Sequence, residues 1–322
     1  MSGAFTIGVD LGGTKVLAGA VDPDLGIRSR ARREVAGLGR QELLDEILSA
    51  IEEARIGIGD EPAAVGIGVP ATFDHSVGRV VRSTHLPLED VAIEDLLAER
   101  VGLPVAADND ATCAAIAEHR AGAAVGAANA VVMTLGTGIG AGLILDGEIR
   151  RGSHGAAGEL GHIPVEPGGL KCGPGCPGTG CLETRVSGPA LEREAERVAA
   201  ARPESGLGKA AAAGPLRGAA VVELAHDGDL AALDAVGRVG HWLGIGLVAL
   251  ANLLDPDVVV VGGGVSAAGE LLLEPARAVL REKAMPPASA RMEVVSAKFG
   301  ADAGLLGAAL LAADRVSGGT SV

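Results

Sequence analysis

Between His162 and Glu183 the chain reads HIPVEPGGLKCGPGCPGTGCLE, which places one histidine and three of the four cysteines within twenty residues. Glu159 stands just before this run and Glu183 closes it. Imidazole and thiolate are the ligand types zinc prefers, and His162, Cys172, Cys176 and Cys181 together fill a tetrahedral shell. A filled shell describes a structural metal that pins a loop, since a catalytic zinc keeps one position for water. The glycines and prolines between Cys172 and Cys181 supply the tight turns that short spacings need. The same residues also allow a loop of turn thiols, or a disulfide plus a spare cysteine. Clustered cysteines in a chain with no secretory leader favour metal over oxidised pairs. Cys113, alone among alanines at helical spacing in DATCAAIAEH, reads as a small packing residue.

A second chemical feature is Asn109-Asp110, where the strand-like VAADN meets a helical run. A carboxylate at the end of a strand, facing a cleft, can accept a hydroxyl proton, and a neighbouring Asn can orient that hydroxyl. Asn and Asp are equally what an ordinary helix N-cap uses. The residues alone leave both readings open.

Three glycine turns complete the set. In GVDLGGTK a strand precedes and a strand follows, so this is no dinucleotide fingerprint, which must open a helix. Gly12, Gly13, Thr14 and Lys15 instead offer backbone N–H groups and polar side chains to a phosphate, with Asp10 placed to organise magnesium or its waters. LGTGIGAG repeats the design with Gly136, Thr137 and Gly138. Glycine hairpin turns are common, so one alone leaves a structural turn and a phosphate site both open, but two matching turns suggest a nucleotide triphosphate held from two sides. The third turn, Gly262, Gly263 and Gly264, precedes a helical run and allows close approach to the adenosine or its phosphates. The full P-loop pattern is absent from the sequence.

These residues need elements to position them. Phe5 to Asp10 and VLAGAV read as two strands around the first turn; AVVMTL and AGLIL frame the second. The repetition predicts a duplicated fold. Between the copies the pattern predicts helices over 41–54, 93–100 and 111–120, and strands over 63–70 and 105–109. Residues 201–220, rich in Ala and Gly, read as a loose helical insertion or surface connection. A long helix over 230–254 leads into DPDVVVV, and DAGLLGAALLAADR closes the chain as a small-residue helix. At 322 residues two domains fit: 1–118, with 305–322 packed back on it, and 119–304.

Nearly half the chain is apolar, yet Phe5, Phe73, Phe299 and Trp242 are its entire aromatic set. Hydrogen bonds, more than ring stacking, must hold any sugar or base. A net charge of −14 and no basic stripe exclude a general nucleic-acid surface. With no leader and no apolar run near 18 residues, a soluble cytoplasmic protein is expected.

DLGGTK, NDA, LGTGIGAG, GELGH, the cysteine cluster ending GCLE and DPDVVVVGGG, in that order from residue 5 to about 310, resemble the ROK family of repressors, open reading frames and sugar kinases. The resemblance implies an α/β, two-domain, actin-like ATPase fold of the hexokinase (ribonuclease H-like) kind, with sugar and ATP meeting in the interdomain cleft. It implies Asp110 as catalytic base and Asn109 as a sugar-binding neighbour. Glu159, His162 and Glu183 resemble residues that hold sugar hydroxyls, His162 also being a ligand of a structural Zn2+. The implied cofactors are ATP, Mg2+ and that zinc; the implied assembly is a homodimer or higher homo-oligomer. Three positions depart from the pattern. Gly-Pro-Gly separates Cys172 from Cys176 where one residue is usual, His85 stands where Asn is common, and Ala71 follows GVP where Gly is usual. The last two bear on which hexose is taken: glucose, N-acetylmannosamine, N-acetylglucosamine, fructose or allose. A repressor would need a helix-turn-helix segment ahead of Phe5, where four residues stand. A non-catalytic sugar-sensing relative is the other alternative.

Overall fold

The computed structural model describes residues 4–84 and 86–318, so His85, expected on the sugar-facing loop, lies outside the described residues. Two compact units emerge from the chain's own contacts: residues 1–126, 142–158 and 298–322 form unit 1, and 127–141 with 159–297 form unit 2.

Unit 1 is built on a five-stranded sheet in the order β3-β2-β1-β4-β8. Its strands are β1 (Thr6–Leu11), β2 (Lys15–Val21), β3 (Ile27–Glu34), β4 (Ala64–Val69) and β8 (Val105–Asn109). β1, β2 and β3 form an antiparallel meander, whereas β4 runs parallel to β1 and β8 parallel to β4. Every residue of β4 is buried, the mark of a parallel strand covered on both faces. β3, read IRSRARRE, carries charge along the open edge, which discourages pairing with another chain. Helix α1 (Arg40–Ile56) buries Leu43, Leu44, Ile47, Ala50, Ile51 and Ala54, an i, i+3, i+4 stripe that joins the core beneath the sheet. A small antiparallel sheet of β5 (Thr72–Asp74), β6 (Arg79–Arg82) and β7 (Glu89–Val91) leads to α2 (Ile93–Val101).

Immediately after β8 comes α3 (Asp110–Ala121), half of whose buried residues are alanines, with Cys113 fully buried as a packing residue. Small side chains let another helix come close.

The second five-stranded sheet repeats the first in the order β11-β10-β9-β12-β13. Its strands are β9 (Ala130–Leu135), β10 (Ile139–Leu145), β11 (Glu148–Ile149), β12 (Val258–Gly262) and β13 (Glu293–Ser296). β12 runs parallel to both β9 and β13, as β4 does to β1 and β8. The helices of unit 2 are α4 (Glu183–Val186), α5 (Gly188–Ala201), α6 (Gly206–Ala213), α7 (Gly218–His226), α8 (Leu230–Leu254), α9 (Glu270–Lys283) and α10 (Ala288–Arg291). The chain ends in α11 (Ala303–Ser317), which lies on unit 1: Thr6 Oγ1 donates to the Ala309 carbonyl at 3.1 Å.

Four sequence expectations change. Residues 142–158 belong to unit 1 and not to a block running from 119 to 304, because Gly142 sits hard against Ala111 and Ala115 of α3. Residues 201–220 are not a loose insertion: they hold α6 and the start of α7 and bury Leu207 and Leu216. The glycines after β12 lead first into a 3-10 turn, Gly264–Ala268, and α9 begins only at Glu270. Finally, α8 is long and apolar enough to cross a membrane, which no run in the chain was expected to approach. Half of its most apolar window is buried and it packs on α5 and α9, as a core helix does.

Candidate active site and metal centre

At the end of β8 the cap question resolves at atomic level. Asn109 Oδ1 accepts the N–H groups of Ala111 (2.9 Å) and Thr112 (3.1 Å), so Asn109 is the N-cap of α3. Its amide nitrogen donates to the Ala71 carbonyl at 3.3 Å, tying the cap to the loop after β4. Asp110 is the first residue of the helix, half-buried, with Oδ1 accepting from Ala111 N at 2.9 Å.

Asp10 is the next-to-last residue of β1, and three residues, Gly12–Thr14, connect β1 to β2. The turn closes through Gly12 N–H donating to the Lys15 carbonyl at 2.8 Å, leaving Gly13 and Thr14 exposed. Burial pushes the Asp10 carboxyl up to about 6, against the pull of Lys15. Gly304, in the first turn of α11, meets this carboxylate so closely that a β-carbon there would lie 2.8 Å from it.

The second turn matches the first. Three residues, Gly136–Gly138, connect β9 to β10, with Thr134 at the position along β9 that Asp10 holds along β1. Gly136 N–H donates to the Gly138 carbonyl (2.9 Å), Gly188 N–H donates to the Gly136 carbonyl (2.7 Å), and Thr137 is exposed. The third glycine turn lies beside it: Gly263, at φ +84°, passes so close to Leu135 that a β-carbon would lie 2.5 Å from its backbone. Close approach between strand ends therefore explains that glycine, whereas Gly264 faces open space.

Glu183, first residue of α4, joins the second turn to the cysteine loop. Its Oε2 accepts the Ile139 N–H at 2.9 Å and its Oε1 lies 3.9 Å from Cys172 Sγ. One of its oxygens is thus committed to the backbone that follows the turn.

His162, Cys172, Cys176 and Cys181 converge, their ligand atoms all within 4.8 Å of one another, and none of the cysteines is in a disulfide. Cys172 Sγ lies 3.5 Å from His162 Nδ1, and Cys176 Sγ 3.9 Å from Cys181 Sγ. A tetrahedral zinc with ordinary bond lengths requires S···N and S···S edges of roughly 3.6 and 3.8 Å, so the donor set fits that ion. The extra residues between Cys172 and Cys176 form a turn in which Cys176 N–H donates to the Gly173 carbonyl (3.3 Å) and Gly175 adopts φ +89°. Pro at the second position and Gly at the third are what a type II turn demands, so the wide spacing costs no convergence. Burial pushes the Cys172 thiol up to about 12 and raises Cys181 too, so a cation is needed to hold them as thiolates. His162 directs Nε2 towards Glu159, 3.7 Å away. A ligating histidine commonly donates its other ring N–H to a carboxylate in this way.

One constellation beside Asn109 escaped the sequence reading. Asp108 is 1 % exposed, pairs with Arg151 through Nη2 at 2.7 Å and Nε at 2.8 Å, and accepts the Asn109 N–H at 2.8 Å. His75 lies 3.7 Å from it, and burial lowers the pKa of that imidazole. Within unit 1 the structure therefore gathers Ala71, Asn109 and Asp110 at one strand end and Asp10 with its turn at another. Within unit 2 it gathers the second and third turns, and links Glu183, His162, Glu159 and the cysteines.

Two sheets of repeated strand order, each opening with a three-residue Gly/Thr turn, define an actin-like ATPase fold of the sugar-kinase class. The chain belongs to the ROK family, whose model matches residues 6–315. It is 38% identical to a glucokinase of Streptomyces coelicolor over 318 residues, covering 96% of this chain and 97% of the relative. Among solved structures it resembles a ROK family glucokinase from Streptomyces griseus in complex with glucose and AMPPNP (TM-score 0.86, 40% identity, 96% and 99% of the two chains). It also resembles a ROK hexokinase from Thermus thermophilus (TM-score 0.75, 36% identity, 97% and 99%).

Proposed function

We propose that the protein is an ATP-dependent sugar kinase that phosphorylates glucose at O6. The observation that supports this reading is Asp110: Asn109 accepts the Ala111 and Thr112 N–H groups as the N-cap, and the half-buried Asp110 carboxylate beside it resembles the family's base by motif. In the reaction Asp110 accepts the hydroxyl proton as the sugar oxygen bonds to the γ-phosphorus. The bond from that phosphorus to the bridging oxygen breaks, and ADP leaves with the electron pair. Asn109, Glu159, His162 and Glu183 are assigned to the sugar hydroxyls, Ala71 to the neighbouring loop backbone. The turns of Gly12–Lys15 and Gly136–Gly138, with the glycines at 262–264, are assigned to the nucleotide. Their N–H groups would stabilise charge on the equatorial oxygens, and Asp10 would organise a Mg2+ accompanying ATP, which supplies further charge neutralisation when bound.

His162, Cys172, Cys176 and Cys181 would hold a structural zinc, which fixes the loop between Glu159 and Glu183. Glucose is favoured over other hexoses by the identity to glucokinases across nearly the whole chain. A coupled ADP-release assay over glucose, N-acetylmannosamine, N-acetylglucosamine, fructose and allose tests the reading. The largest kcat/KM is expected for glucose, and a larger value for any other sugar would reassign the substrate.

A further inference from the structure

A pocket of about 150 Å³ opens within unit 2 against α4, α5 and α8, and four arginines line it: Arg185, Arg193, Arg197 and Arg238. Such a concentration of guanidinium groups is out of character for a chain carrying a net charge of −14. Behind them lie Val239 and Trp242, the one tryptophan of the chain, with the Arg185 guanidinium 5.1 Å from the indole centroid. Stacking against an aromatic face holds a guanidinium flat and fixes the direction of its donors.

The donors are not all used. Arg185 is committed to Glu166, and Arg197 gives Nε and Nη2 to Glu194. Among the described residues Arg238 gives Nε to Asp234 and Glu194 and no other donor. Among the described residues Arg193 forms no ion pair, and its Nη2 donates to the Thr184 carbonyl at 2.8 Å. Each guanidinium carries five N–H donors, so Arg193, Arg197 and Arg238 retain several between them, and the four cations face three carboxylates. An uncompensated cation with spare forked donors suits a tetrahedral oxyanion better than any neutral group. The volume is on the scale of a phosphate group more than of a nucleotide.

We propose that this pocket binds the phosphate group of a small anion, either orthophosphate or a sugar phosphate. Thr184 and Arg185 belong to α4, whose first residue is Glu183, so the ligand would bear on the helix that holds the second turn. That regulatory consequence rests on the sugar-kinase reading; the binding itself does not.

Trp242 is its own reporter. Orthophosphate and glucose 6-phosphate are each titrated into the full chain, without nucleotide or glucose, while tryptophan emission and the heat of binding are followed. Sodium chloride at matched ionic strength is the control. A saturable change with one or both phosphates is expected, and the double variant Arg193→Ala/Arg238→Ala should weaken it tenfold or more while glucose turnover stays at the wild-type level. A stronger response to glucose 6-phosphate would show that the sugar ring contributes, and an equal response that phosphate suffices. Neither phosphate producing a saturable signal or heat would overturn the proposal, as would a chloride response of the same size. An unchanged titration in the double variant would do so too, by placing the anion elsewhere.

Discussion

Two aspartates at strand ends meet different surroundings. Asp110 opens α3, half-buried, and accepts the Ala111 N–H. Asp10 is buried, and its carboxyl is pushed up to about 6. If Asp10 must be ionised to organise magnesium, kcat/KM for glucose should rise with pH through about 6, because that quantity reports groups of the free enzyme. Raising Mg2+ should move the acid limb lower, and a pH–rate series at two magnesium concentrations checks it. The stability sign runs the other way. A raised carboxyl favours the folded state fully below the unfolded value near 4 and loses that contribution as pH rises through about 6. In ligand-free protein at pH 8, Asp10→Asn should therefore melt above wild type, as scanning calorimetry would show. At this scale the sequence displayed Asp110, Asp10 and the four candidate metal ligands, because each lies in a compact local motif. It hid the Asp108–Arg151 pair, whose members are 43 residues apart, since nothing local in either run signals the other.

Elements were legible where the pattern was regular. The two strand-turn-strand units show in the sequence because a Gly/Thr triplet interrupts two apolar runs in each, and both triplets prove to be three-residue connections. Residues 201–220 were not legible: runs of Ala and Gly carry no amphipathic stripe, and α6 declares itself through its Ser205 cap and the burial of Leu207. The cysteine loop is the element whose shape the proposed zinc would set. About one zinc per chain is expected by elemental analysis of protein purified under reducing conditions. Cys176→Ser should lower that occupancy and raise the KM for glucose about tenfold with a smaller change in kcat, the pattern of a positioning group. A zinc-free wild type with full activity would remove the metal from the account.

At the scale of the whole molecule, the duplicated sheets give the chain two versions of one Gly/Thr hairpin, and α11 returns from the far end of the sequence to close unit 1. That return depends on Gly307, where a β-carbon would lie 1.6 Å from the Cys113 carbonyl oxygen of α3. Gly307→Ala must push two packed helices apart, a cost of about 1–3 kcal/mol for overpacking or more, readable as a lowered urea midpoint. The closing helix was visible in the sequence as a small-residue run, but its glycine contacts required the fold. The central claim is that Asp110 takes the proton from glucose while ATP supplies the phosphoryl group. Its most direct measurement is the rate of glucose 6-phosphate formation from MgATP by Asp110→Asn beside wild type, with glucose binding measured in the same samples. Turnover should fall by about a thousandfold with binding retained; turnover within a few-fold of wild type would contradict the account.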